Sequence, residues 1–140
     1  MTLDNLTGKS LEKIEPDPIA IQRLLDAAER NIADAELIEL SNENRFDVAY
    51  KAIMQLANAA LQASGFRTLT SKPGHHQTMI QSLVKTVGIE TDRMIVLDAL
   101  RKQRNIADYS GDLVEDAAVV ECILQAKQLL ALTQAWLKNQ

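Results

Sequence analysis

The sequence predicts an all-α protein, an up-and-down bundle of about five helices. Apolar residues recur at spacings of three and four along most of the chain, and no segment shows convincing period-two alternation. Five Gly and three Pro are too few for the many turns of a loop-rich β-protein. Connections between the periodic stretches are mostly short, so successive helices should lie antiparallel. A chain of 140 residues suffices for one domain with its own core, and 46% hydrophobic residues can fill it. Only 4% are aromatic, which leaves the filling to Leu, Ile, Val and Ala.

Residues 1–16 read as a flexible N-terminal segment with at most a short turn around Ser10–Ile14, ahead of a single helical domain over 17–140. Asp17-Pro18 is an N-cap followed by proline in the first turn, a strong helix start. Ile21, Leu25, Ala28, Ile32 and Ala35 then mark an amphipathic helix over about 18–40. Ser41-Asn42-Glu43-Asn44 breaks it. Phe46, Ala49, Ile53, Leu56 and Ala60 mark a second helix over about 43–64, stopped by Gly65. Residues 65–73, with Ser71, Lys72 and Pro73, form the longest internal loop. Met79, Ile80, Leu83, Val84 and Val87 give a third helix over about 74–87, ended by Gly88. Thr91-Asp92 caps a fourth over about 92–109, with Val96, Leu97, Leu100 and Ala107 inward and Ser110-Gly111 closing it. Asp112 with Glu115 resembles a capping box opening a last helix over about 113–138.

The composition excludes several functions. Fifteen Lys plus Arg against nineteen Asp plus Glu leave a net charge of −4, so nucleic-acid binding must rest on a local patch. The one cysteine, Cys122, allows no disulfide within a monomer, and in its apolar helical setting it reads as a buried structural thiol. Residues 1–14 lack a secretory apolar region and no apolar run reaches transmembrane length, which predicts a soluble cytoplasmic protein without membrane contact. There is no phosphate-binding glycine loop, G-x-S-x-G elbow or paired zinc motif, and no cofactor is expected. Trp136, with Leu132 and Leu137, reads as core.

The stretch Leu100–Tyr109 packs three cations, two amides, a carboxylate and a phenol into one helix end. On a helical wheel Arg101, Arg104, Asn105 and Asp108 share a sector about 100° wide, with Leu97, Leu100 and Ala107 on its core side. Arg104 therefore falls at the border of core and solvent, where a rigid guanidinium can meet a phosphate or a carboxylate. The plainer alternative is a solvated face, with Arg101 and Arg104 paired to Asp98 or Asp108 and cations offsetting the helix dipole. Gly74-His75-His76 holds the only two histidines. Adjacent helical residues diverge by about 100°, so the rings cannot readily chelate one ion. One imidazole capping or packing at the helix start is the better reading, with a catalytic part in a folded site still open.

The run Arg101-Lys102-Gln103-Arg104-Asn105-Ile106-Ala107-Asp108-Tyr109-Ser110-Gly111-Asp112, late in the penultimate long helix, resembles the motif segment of HEPN-domain proteins. Gly74-His75-His76-Gln77-Thr78-Met79-Ile80 is similar to that of some small bacterial members. The bundle pattern extends the resemblance over about 18–138, although the specific part is only some twenty residues. The resemblance implies a HEPN-like dimeric α-bundle, in a family where many members are metal-independent ribonucleases or toxins neutralised by a nucleotidyltransferase. The family signature is an Arg, a polar residue such as Asn, and a His after four to six intervening residues. Arg104-Asn105 matches its first half. Its second half departs from the pattern: four residues intervene before Tyr109 and six before Gly111, and no histidine follows His76. A carboxylate cannot both take and give a proton as His does, so Asp108 is expected to pair with an arginine and order the motif, with Tyr109 beside it. Tyr109 also stands near the place where family toxins can be modified by their partner.

The expected function is that of an RNA- or nucleotide-binding protein, with Arg101, Arg104 and Asn105 as the phosphate contacts. It would be a homodimer and a candidate toxin-like half of a pair with a nucleotidyltransferase. The first alternative is a structural or protein-interaction dimer without catalysis. The second is a divergent metal-independent ribonuclease using Arg104 with His75 or His76.

Overall fold

The computed structural model describes residues 2–71, 73–111 and 113–140. Lys72 of the expected loop and Asp112 of the expected capping box lie outside these residues. The protein is an all-α bundle of five helices: α1 Pro18–Ala35, α2 Asn42–Ala63, α3 His75–Ser82, α4 Thr91–Ser110 and α5 Asp116–Lys138. A two-stranded antiparallel sheet, β1 Leu11–Lys13 against β2 Phe66–Thr68, is appended to it.

α1 begins as its sequence dictates. Asp17 Oδ1 accepts from the backbone N–H of Ile19 at 3.0 Å and of Ala20 at 3.4 Å, and Pro18 heads the first turn. The helix ends at Ala35, short of the expected residue 40. Arg45 Nε donates to the Ala35 carbonyl at 2.7 Å, which diverts the acceptor that another turn would use. Ser41 caps α2 by accepting from Asn44 N–H at 3.2 Å.

α2 is the central helix and packs against α1, α3, α4, α5 and β2. Phe46, Ala49, Tyr50, Ile53, Leu56, Ala57, Ala60 and Leu61 are all buried, so apolar residues cover more than one of its faces. The alanines let neighbouring helices approach closely, while Phe46, Ile53, Leu56 and Leu61 fill the space with Leu97, Val119, Cys122 and Leu129.

Four further expectations are corrected. The sheet was not foreseen, because three-residue strands are too short to show alternation. The leading segment holds a 3-10 turn at Asp4–Leu6 and then β1, whose Leu11 is fully buried. Register is set by Leu11 opposite Thr68, Glu12 opposite Arg67 and Lys13 opposite Phe66, with an Arg67–Glu12 ion pair across the strands. α3 stops at Ser82, not 87; the chain continues in turns to Gly88, whose N–H reaches back to the Leu83 carbonyl at 3.0 Å. Finally, Glu90 and not Thr91 is the N-cap of α4, and α5 starts at Asp116, after Val114 has been buried and Asn42 Nδ2 has donated to the Val114 carbonyl at 3.0 Å.

No described helix is long and apolar enough to cross a membrane.

Candidate functional site

α2 and α4 meet side by side where Arg104 approaches Asp47, and the N-terminus of α3 closes over the same place. Arg104 is the junction. Its Nε lies 3.1 Å from Asp108 Oδ2, one turn along α4, and 3.5 Å from Asp47 Oδ1 of α2. These are ion-pair distances, but the Nε–H points squarely at neither oxygen and makes no hydrogen bond, although the atom itself is buried. The guanidinium stands over the Tyr50 ring, Cζ 5.4 Å from its centroid. The terminal nitrogens of the guanidinium donate to no described residue. The side chain retains 30% exposure, the border position expected of it.

Tyr50 links Arg104 to α3. Its hydroxyl lies 3.3 Å from His76 Nδ1, and the two rings are tilted with centroids 6.1 Å apart. Burial pushes the Tyr50 phenol up to about 12, against the pull of Arg104 and Arg101. The phenol therefore keeps its proton and can donate to a neutral His76 at Nδ1, which leaves the ring proton on Nε2. Burial first, then His75, Arg104 and Arg101, hold the His76 pKa below its ordinary value. His75 stacks edge-on against His76 at 4.7 Å.

A cleft of about 260 Å³ opens here, lined by Asp47, Tyr50, Lys51, Met54, Gln55 and Asn58 of α2, His76 and Met79 of α3, and Arg104 of α4. Larger grooves exist, including one of about 510 Å³ by Arg93 and one of about 570 Å³ by Pro18. The first holds its arginine against Gln125 and Gln128, and the second is lined mainly by apolar and amide side chains, so neither offers the free guanidinium of the smaller cleft.

The structure thus brings together Arg104, His76 and, through His76, His75. Asp108 stands at ion-pair distance from Arg104. Arg101 is engaged elsewhere: its Nε donates to Asp98 at 2.8 Å, with both side chains less than a fifth exposed, and Lys102 Nζ lies 3.5 Å from the other Asp98 oxygen. That hydrogen bond holds the Asp98 carboxyl below its usual range. Arg101 still adds positive charge near Tyr50 and His76. Asn105 does not line the cleft. Tyr109 points away from it, 92% exposed. Among the described residues no group of three His, Cys, Asp or Glu side chains is placed to hold a metal ion. Cys122 is buried with its thiol pushed up to about 12 by that burial, and its Sγ approaches the Phe46 carbonyl at 3.8 Å. Trp136 packs partly buried against the core.

Asp47, Tyr50 and Lys51 were not foreseen as site residues. Tyr50 occupies a position of the inward α2 pattern beside Ala49 and Ile53, so it reads as filling. The available signal was a hydroxyl on the inward pattern of α2, with acidic Asp47 one turn before it and basic Lys51 next to it.

No known protein family and no curated protein matches this chain in sequence.

Proposed function

We propose that this is a HEPN-like RNA- or nucleotide-binding protein whose principal phosphate contact is Arg104. One observation carries the reading: three helices converge on a guanidinium at the rim of an open cleft, flanked by Asp108, Asp47 and the Tyr50 ring, with its terminal donors unused. A planar fork held in this way matches phosphate oxygens bidentately. Asp108 and Asp47 engage the Nε side and fix the orientation, while Lys51 adds a second cation at the rim. The net charge of −4 makes this a local site and not a general nucleic-acid surface. The sequence resemblance adds to this reading a homodimer and a nucleotidyltransferase partner.

The test is binding and cleavage of single-stranded RNA by purified protein in EDTA, at two salt concentrations, with Arg104→Ala alongside. Weaker binding in the variant, with the logarithmic salt slope reduced by about one, is expected. Equal binding by both proteins would refute the assignment. Metal-independent cleavage lost in the variant would move the reading to a ribonuclease.

A second reading, a protein-interaction module, is favoured by a different observation. Leu37, Ile38, Leu40, Ile106, Tyr109, Leu113, Val120 and Leu124 are all exposed large apolar residues. They gather at the end of the bundle where α1 and α4 finish and α2 and α5 begin, an end tied together by Asn42 to Asp116 and Lys127 to Glu36.

A further inference from the structure

The lining of the Arg104 cleft is sorted by chemistry along α2. From Asp47 to Asn58 is eleven residues, about 16 Å at the helical rise. Charge lies at one end, where Arg104, Asp47 and Lys51 meet. Met54 of α2 and Met79 of α3 form the apolar middle, each mostly buried. Two amides, Gln55 and Asn58, close the far end.

Each amide already has one half engaged. Gln55 Oε1 accepts from Asn31 Nδ2 of α1 at 2.8 Å. Asn58 Oδ1 accepts from Gln62 Nε2, one turn on, at 3.1 Å. Both carbonyl oxygens are therefore occupied, and both NH2 groups have no partner among the described residues. The rest of the cleft is equally rich in donors: the terminal guanidinium nitrogens of Arg104, the Lys51 ammonium, and the His76 Nε2–H that remains when Tyr50 donates to Nδ1. Asp47 is the one carboxylate in the lining. Such a site favours a ligand that presents acceptors at both ends and a flat, polarizable body between them.

Resting on the RNA-binding reading above, we propose that the cleft takes one nucleotide of single-stranded RNA and selects uracil through Gln55 and Asn58. The phosphate sits on Arg104 and Lys51, the base lies on Met54 and Met79, and the free amide NH2 groups meet the carbonyl oxygens of the base. Cytosine presents an amino group where uracil presents O4, which sets donor against donor. Adenine likewise offers an amino group in place of a carbonyl. Guanine has a carbonyl, but its pairing edge presents an amino group where uracil presents O2.

Fluorescence anisotropy with labelled oligouridylate and oligocytidylate of equal length tests this. Oligouridylate is expected to bind at least about five-fold more tightly, the factor that one well-placed readout pair supplies. A Gln55→Met/Asn58→Leu double variant should bind both oligomers with similar affinity while keeping the Arg104-dependent salt slope. In case that variant is poorly folded, an oligomer carrying 4-thiouracil, whose sulfur is a weaker acceptor, should lose the advantage on the parent protein. Binding of RNA with equal affinity for the two oligomers would overturn base selection and leave the RNA-binding reading intact. A uracil preference that survives both the double variant and the thio substitution would place the readout elsewhere and also overturn the proposal. Absence of any RNA binding would remove both readings.

Discussion

At the scale of single residues, α4 shows how one helix can hold two arginines in different states. Arg101 and Asp98 pair with less than a fifth of either side chain exposed, so removing the carboxylate leaves the guanidinium without its partner. Asp98→Asn is expected to lower unfolding free energy by about 2 kcal/mol, the range of a hydrogen bond to a charged group, measured by urea denaturation. Because the folded Asp98 pKa is depressed, its contribution is present above the unfolded carboxyl value and disappears as pH falls through the folded one. His76 is also depressed, with the opposite charge consequence. The unfolded chain takes up its proton first, so His76 erodes stability as pH drops below about 6.5. A His76→Gln variant should show a flatter stability profile between about pH 5 and 6.5. An anion bound near His76 would favour the protonated ring. RNA affinity is therefore expected to rise over the same acid range in the parent and less in His76→Gln, as titrations at several pH values would show. Arg104, Arg101, His75 and Tyr50 face the same ring, and the two arginines oppose its protonation.

At the scale of elements, α2 decides most of the packing. It touches every other helix, and its Ile53 is fully buried. Ile53→Ala removes three carbon atoms from a site enclosed on all sides, and a loss of about 2–5 kcal/mol is expected in thermal or chemical unfolding. The same helix carries Asp47, Tyr50, Lys51, Gln55 and Asn58 to the cleft, so the site is built largely on the helix with the most buried residues. α4 is different. Only Leu97 and Leu100 of its twenty residues are buried. The small sheet ties the leading segment to the stretch after α2 through paired backbone and the buried Leu11, which helical periodicity had no means of signalling.

At the scale of the whole molecule, the end of the bundle where α1 and α4 finish and α2 and α5 begin carries exposed apolar side chains. Ile38 is 80% exposed and Val120 63% exposed, well beyond the scattered single apolar residues of an ordinary surface. If this end joins two copies, Ile38→Glu and Val120→Glu should convert a larger species to a monomer in light scattering, with the melting temperature of the monomer little changed. A parent that is monomeric at all concentrations would rule out self-association through it.

The residue order by itself determined the all-α class, the five helices and most of their starts, because periodicity, Asp17-Pro18 and Ser41 act within a few residues of where they stand. It also determined that Arg104 would sit at a core border. Only the tertiary structure decided that Arg101 would be taken up by Asp98, that Arg104 would gain Asp47 and Tyr50, and that His76 would reach the same cleft. Tyr50 and His76 are twenty-six residues apart and Asp47 and Arg104 fifty-seven, separations that no local pattern spans. They meet because three helices must bury their apolar faces against one another, and that packing sets which polar side chains share the remaining space.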